Sequence, residues 1–258
     1  MKRRLKVILT IFGFAFLASC GGGEGEKTGL TAPSGETGTT LSPRQEKFES
    51  EEGYPLTAVI WPEREIAVCW QMDVDAFNSY SAQRESVRQA IHSTWEQSSL
   101  VRFIGWQRCN GTPNQGVSIA VQDVGAHTKG LGTRLRNVVE GVVLNFEYTQ
   151  WSPDCQNQKD YCNRVLAVHE FGHVLGFAHE QNRPDTPDPR CAAQEQGTDG
   201  DALFGDWDIS SVMNYCNPQW NGDGALSPTD IAMVKKYYGD PAGIAFIDIT
   251  PSIYLLTN

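Results

Sequence analysis

The chain has 258 residues, 40% of them hydrophobic, enough for one sizeable folded domain or two small ones. Its formal net charge is −10, and setting aside the four basic residues before Cys20 leaves 17 basic against 31 acidic residues, or −14. Such a surface argues against nucleic acid and against anionic lipid as partners.

The first residues have the layout of an export signal. Lys2, Arg3, Arg4 and Lys6 precede an apolar stretch, Val7 to Ala18, that is too short to span a bilayer comfortably. It ends in Leu17-Ala18-Ser19-Cys20, followed by Gly21-Gly22-Gly23, which looks like a bacterial lipobox. Residues 1–19 are then a lipoprotein signal peptide, and Cys20 is lipidated, becomes the mature N-terminus and anchors the chain to a membrane. Gly21 rather than Asp after Cys20 fits outer-membrane sorting, with the domain facing the periplasm or the cell exterior. Residues 20–53 are rich in Gly, Thr, Ser and Glu and read as a flexible tether. A single folded domain is expected over 54–258.

Within it, Thr57 to Trp70 suggests a first strand, and Ser81 is placed to cap a helix reaching about Gln97. On that helix Val87, Ile91 and Trp95 recur at helical spacing, and His92 reads as a surface or packing residue rather than a ligand. Strand-like runs follow at Val101–Trp106, Gly116–Gln122 and Gly141–Tyr148. The Gly-rich stretch Gly125–Thr133 reads as an edge strand or a loop, and His127 within it as a loop residue. A helix from about Asn163 is followed by a loop-rich stretch, Asn182–Trp207. A last helix starts at Ser227, a good N-cap, with Pro228 in its first position, and ends near Tyr238-Gly239. The tail from Asp240 has an alternating pattern that suggests an added strand. The order of elements defines an α+β fold. Besides Cys20 there are six cysteines, an even set that reads as disulfides in an exported chain. Fifteen pairings are open, and the preferred set is Cys69–Cys109, Cys155–Cys162 and Cys191–Cys216.

The chemistry concentrates in His169-Glu170-Phe171-Gly172-His173-Val174-Leu175-Gly176-Phe177-Ala178-His179. On a helix, His169 and His173 project from one face about a turn apart and can share one ion. Gly176 can turn the chain sharply, so that His179 approaches the same ion from a new direction. Three neutral imidazoles leave one position for water, the arrangement of a catalytic zinc site. Glu170 is rotated about 100° from the first histidine, able to reach that water as general base but not to join the ligands.

This segment resembles the extended zinc signature of the metzincin proteases, and its continuation Glu180-Gln181-Asn182-Arg183-Pro184-Asp185 is similar to the astacin family. Downstream, Asp208-Ile209-Ser210-Ser211-Val212-Met213-Asn214-Tyr215 resembles that family's Met-turn. The resemblance extends loosely to Trp61-Pro62 and to Leu226-Ser227 with Asp230-Ile231. It implies a metzincin-type zincin: a mixed, mostly parallel twisted sheet, an active-site helix, a Met-turn and a C-terminal helix. It implies one catalytic Zn²⁺ on His169, His173 and His179, an apolar floor at Met213, and Tyr215 as an extra ligand or transition-state donor. It implies a zinc endopeptidase acting on extracellular proteins or peptides, with a monomer expected. The chain departs from the family pattern at Asn214, where His is usual. In processed astacins the counterpart of Glu180 meets a newly cut N-terminus; no aspartate-switch motif stands here, so Glu180 is expected to pair with Arg183 or another internal group, or to sit on the surface. The loop 216–225 is placed to shape the pocket after the scissile bond, with Trp220 either its wall or a packed aromatic. Calcium in the Asp-rich stretch 185–208 is unsupported by any recognisable loop spacing. A zinc-bearing binding protein that has lost catalysis is the rival from another class, and intact Glu170 argues against it.

Overall fold

The computed structural model describes residues 53–111 and 116–243. The signal segment, Cys20, nearly all of the tether and the tail from residue 244 lie outside the described residues, as does the strand expected in that tail. In chain order the elements are β1 (Glu65–Trp70), α1 (Val74–Ser79), α2 (Ser81–Ile91), β2 (Arg102–Arg108), β3 (Val117–Val121), β4 (His127–Thr128), β5 (Val142–Leu144), α3 (Lys159–Val174), α4 (Pro189–Ala192) and α5 (Pro228–Tyr238).

The sheet runs β2-β1-β3-β5-β4. Its first four strands are parallel and β4 pairs antiparallel with β5, so the sheet is mixed and mostly parallel. Along β1, Ile66, Val68 and Trp70 point inward at the two-residue period of a strand. They meet Val87, Ile91 and Trp95, which lie in line along α2 and its π-helical extension His92–Glu96, all three fully buried. The Trp95 indole donates to the carbonyl of Val168 at 2.9 Å and so joins this helix to α3. Every residue of α3 from Val165 to Val174 is buried, so the second half of this helix lies within the core.

Several boundaries differ from the expected ones for local reasons. The first strand starts at Glu65, because Thr57–Val59 form a 3₁₀ turn and Pro62 cannot donate to a ladder. Ser81 is not a cap: the helical run begins at Val74, where the Asp73 carboxylate accepts from Ala76 N at 2.8 Å. The third predicted run ends at Leu144, because the Asn145 side chain accepts from the backbone of Glu147 and Tyr148, both at 2.8 Å, and turns the chain. The zinc-motif helix starts earlier than expected, at Lys159. The loop-rich stretch contains the short α4. The last helix has the expected start, with a full capping box between Ser227 and Asp230. All three preferred disulfides are present.

Candidate metal centre and active site

Helix α3 presents His169 and His173 side by side, and the chain leaves that helix at Gly176 with φ +96°, a conformation that favours glycine. A Cβ there would also lie 2.9 Å from Ile60 Cδ1. The turn brings His179 back so that its Nε2 lies 3.2 Å from that of His169 and 3.1 Å from that of His173. Each ring is oriented through its other nitrogen. Nδ1–H donates to the carbonyl of Val212 in His169 (2.7 Å), of Phe177 in His173 (2.8 Å) and of Gln196 in His179 (2.9 Å). A carbonyl can only accept, so each Nδ1 holds the ring's proton and each Nε2 is left with a bare lone pair. Burial, helped by the neighbouring imidazoles, pushes His169 down to about 3 and His173 well below its ordinary value; burial lowers His179 as well.

Three lone pairs converging within hydrogen-bond distance, with no proton between them, repel one another unless a cation stands among them. Neutral imidazoles with their outer nitrogens fixed on carbonyls are the donor set that zinc takes. Among the described residues, these three histidines form a group of donors close enough to share one ion.

Glu170 follows on the same helix, 3% exposed. Its Oε2 has no hydrogen-bond partner, and burial pushes the carboxyl up to about 8. It lines two recesses with Tyr215. One, of about 230 Å³, runs along Thr128 to Leu131 past His173 and His179. The other, of about 410 Å³, continues past His169 to Trp151, Leu166 and Trp220. The Tyr215 ring stacks near His169 (5.4 Å, 23° between planes) and His179 (4.4 Å), and it is 37% exposed. Burial and then the nearby Glu170 carboxyl hold its hydroxyl in the protonated form.

The turn carrying Met213 and Tyr215 is held by α5. Asp230, fully buried, accepts from Ser211 Oγ (2.7 Å), Val212 N (2.9 Å) and Ser227 N (2.9 Å). The Val212 carbonyl in turn orients His169, so one carboxylate of α5 fixes both the turn and a candidate ligand. Met213 is 1% exposed, and its sulfur lies where Gly172 has no side chain: a Cβ at Gly172 would come within 2.3 Å of it. Gly172→Val is therefore expected to displace the turn and cost about 1–3 kcal/mol, the penalty of overpacking a core. Thermal unfolding checks the loss; an unchanged midpoint contradicts this packing.

Asn214 is not a substitute ligand. It ties the turn to itself, donating to Asp208 O at 2.8 Å and accepting from Cys216 N at 3.0 Å. Of the two readings of Glu180, the structure supports the internal one: it is 1% exposed, 3.4 Å from Arg183 Nη1, and it accepts from Asp208 N at 3.0 Å. His127 lies in the edge strand β4, not in a loop, and its ring contacts its own Gly125 carbonyl at 2.9 Å. Of the two readings of His92 the structure has the surface one: it is exposed beside Glu96. Four acids of the 185–208 stretch hold neighbouring protein groups: Asp185 holds Arg183, Asp199 accepts from Asn182, Asp201 from Thr57 and Asp208 from Ser210.

Several supports were not legible. The carbonyls of Val212, Phe177 and Gln196 are backbone atoms and carry no residue signature. Gln181, whose Oε1 accepts from Tyr215 N at 3.0 Å, sits in the continuation of the zinc motif without a marker of its own. Asp230 did carry a signal, the Ser-x-x-Asp spacing of a capping box.

No protein-family model matches the chain. Bone morphogenetic protein 1 of Xenopus laevis is 28% identical over 112 residues, covering 30% of this chain and 16% of that protein. Zinc metalloproteinase nas-30 of Caenorhabditis elegans is 29% identical over 102 residues, covering 34% of this chain and 14% of that protein. These matches therefore span a small part of either relative's length. In fold the chain is similar to myroilysin, with a TM-score of 0.51 and 18% identity over 72% of this chain and 98% of that one. The mixed sheet, the helix bearing two histidines and the turn that returns the third form a fold similar to that of myroilysin, built around three histidines that fit a zinc ion.

Proposed function

We propose that this chain is an endopeptidase that hydrolyses peptide bonds of extracellular proteins or peptides with one zinc ion held by His169, His173 and His179. The observation that carries this is the unpartnered carboxylate oxygen of Glu170, buried beside three converging imidazole lone pairs on a residue that lines two recesses. A site that only bound metal would have no use for that carboxylate. Zinc supplies Lewis acidity there, acidifying water and polarising a carbonyl. Glu170 takes the proton of the attacking water at Oε2 and returns it to the leaving amine. The Tyr215 hydroxyl, kept protonated, donates to the oxygen that gains charge. An extended peptide adds to the outer edge of β4, where backbone pairing gives affinity with little choice of sequence. From its sequence, the chain is exported, anchored through lipidated Cys20 and monomeric.

Incubation with casein or gelatin, with and without a zinc chelator, tests this. Cleavage that the chelator abolishes and added zinc restores is expected; cleavage indifferent to the chelator contradicts it. Tyr215→Phe is expected to lower kcat by about 10²–10³-fold, the usual loss on removing one oxyanion donor, with zinc content retained. Unchanged turnover across several peptides removes Tyr215 from the mechanism.

A further inference from the structure

We propose that Asn182 is a positioning residue for the zinc centre: its carboxamide fixes the Gln196 carbonyl that orients His179, and the Cys191–Cys216 disulfide ties the same loop to the turn bearing Tyr215. This rests on the zinc reading above and adds to it the part of the chain that holds the third histidine in place.

His179 needs such a support more than its two partners do. His169 and His173 stand on α3. The carbonyl that orients His173 belongs to Phe177, whose own N–H donates to Gly172 O at 3.0 Å in the turn that ends the helix. The one that orients His169 belongs to Val212, which Asp230 holds. His179 lies beyond Gly176, outside the helix. Its carbonyl partner is 17 residues downstream, in a stretch, 193–200, that is neither helix nor strand. A loop carbonyl has no ladder to fix it, so side chains must do so.

Asn182 does this with both ends of its carboxamide. Nδ2 donates to Gln196 O at 3.0 Å, and Oδ1 accepts from Gln196 N at 3.1 Å. Nδ2 donates also to Asp199 Oδ1 at 3.0 Å. The Gln196 oxygen thus takes one N–H from Asn182 and one from His179, which uses both of its lone pairs. With the amide turned over, its oxygen would face the Gln196 carbonyl and the Asp199 carboxylate, so these partners fix one orientation. Asn182 is 8% exposed and sits in the 3₁₀ turn Glu180–Asn182, its N–H donating to His179 O at 3.1 Å. The grip therefore starts from the backbone of the histidine it serves. Gly197 then turns the chain with φ +81°, and a Cβ there would lie 3.7 Å from His179 Nδ1, so the loop packs against the imidazole.

The other end of the loop is anchored on the turn that carries Tyr215. Cys191 on α4, buried, is bonded to Cys216, the residue after Tyr215. Gln194 N donates to Cys191 O at 2.8 Å and Gln194 Nε2 lies 3.6 Å from Cys216 Sγ, which joins the disulfide to the chain just before Gln196. Tyr215 N in turn donates to Gln181 Oε1 at 3.0 Å. Gln181 and Asn182 therefore hold the tyrosine turn and the histidine loop from one short 3₁₀ turn, and the disulfide closes the ring between them.

The experiment measures zinc affinity and the state of the His179 ring in Asn182→Ala and Asn182→Asp. Aspartate keeps the shape and the acceptor but loses the donor, and it covers the case in which alanine fails to fold. Competition with a chromophoric chelator is expected to show zinc held about 10–100-fold more weakly in both, the usual cost of losing the outer partner of a metal-bound histidine. Cys191→Ser with Cys216→Ser is expected to weaken zinc within the same range of about 10–100-fold. Imidazole nitrogen NMR of the metal-free proteins is expected to show His179 as the Nδ1–H tautomer in the parent and as a mixture of tautomers in the Asn182 variants, with His169 and His173 unchanged. General support of the fold would not single out one ring. Unchanged zinc affinity in both Asn182 variants, an unmoved His179 tautomer, an equal change at all three histidines, or unfolding of both variants overturns the proposal. Unchanged affinity in the double serine variant overturns the part given to the disulfide. A parent protein that binds no zinc overturns the zinc reading instead, and the tautomers of the metal-free proteins then decide the role of Asn182 alone.

Discussion

Glu170→Gln is expected to lower peptide hydrolysis by about 10²–10⁴-fold while the protein keeps its fold and its zinc. Glutamine matches the side chain in shape but cannot accept a proton. The histidines are held by the carbonyls of Val212, Phe177 and Gln196, none of which depends on the Glu170 carboxylate. The substitution also has a stability signature in the metal-free protein. Burial raises this carboxyl from its ordinary 4.5 to about 8, so the fold favours its protonated form. That contribution is full below about 4.5 and is lost as pH rises through about 8, where the buried group must ionise. The neutral amide has no such dependence. The metal-free variant should therefore gain on the parent protein as pH rises across this window. Kinetics with zinc analysis and denaturant melts at several pH values check both parts; full activity in the variant sinks Glu170 as the proton acceptor.

Arg183→Met is expected to cost about 3–5 kcal/mol, because it leaves Glu180 buried without its cation. The guanidinium is fully buried and spends all five N–H donors. Nε and Nη2 clasp Asp185 at 2.8 Å each, Nη1 reaches the carbonyls of Gly53 and Phe204 at 3.0 Å, and Nη2 also reaches Gly205 at 2.6 Å. It thus ties the start of the domain and the loop after α4 to the segment that follows His179. Methionine restores much of the volume but none of these bonds. For a domain of this size the loss corresponds to roughly 10 °C in Tm. Zinc affinity should fall too, since Glu180 N donates to the Met213 carbonyl and Glu180 adjoins His179. A variant with unchanged midpoint and zinc affinity contradicts this assignment.

The sequence revealed the centre because three helical and turn rules act within eleven residues. A spacing of four fixes His169 and His173 on one face, and Gly176 supplies the positive φ that returns His179. The burial of Val87, Ile91 and Trp95 and the capped start of α5 were legible for the same reason: each is a local, periodic or capping signal. What escaped depends on tertiary contact. Strand β4 was left open as an edge strand or a loop within Gly125–Thr133, because at two residues, His127–Thr128, it shows no period and exists through its pairing with β5. Arg183 was legible only as a partner for Glu180; its bonds to the carbonyls of Gly53, Phe204 and Gly205 join segments far apart in the chain. The aromatic recess gathers Trp151, Leu166 and Trp220 from three distant segments, so no window of sequence contains it.

The most direct test is a titration of chelator-stripped protein with zinc while casein hydrolysis is followed. Activity should rise in proportion to added zinc and level off at one equivalent per chain, with His179→Ala failing to recover at that stoichiometry. Hydrolysis that persists without metal, or a folded chain that binds one zinc and cleaves nothing, contradicts the account.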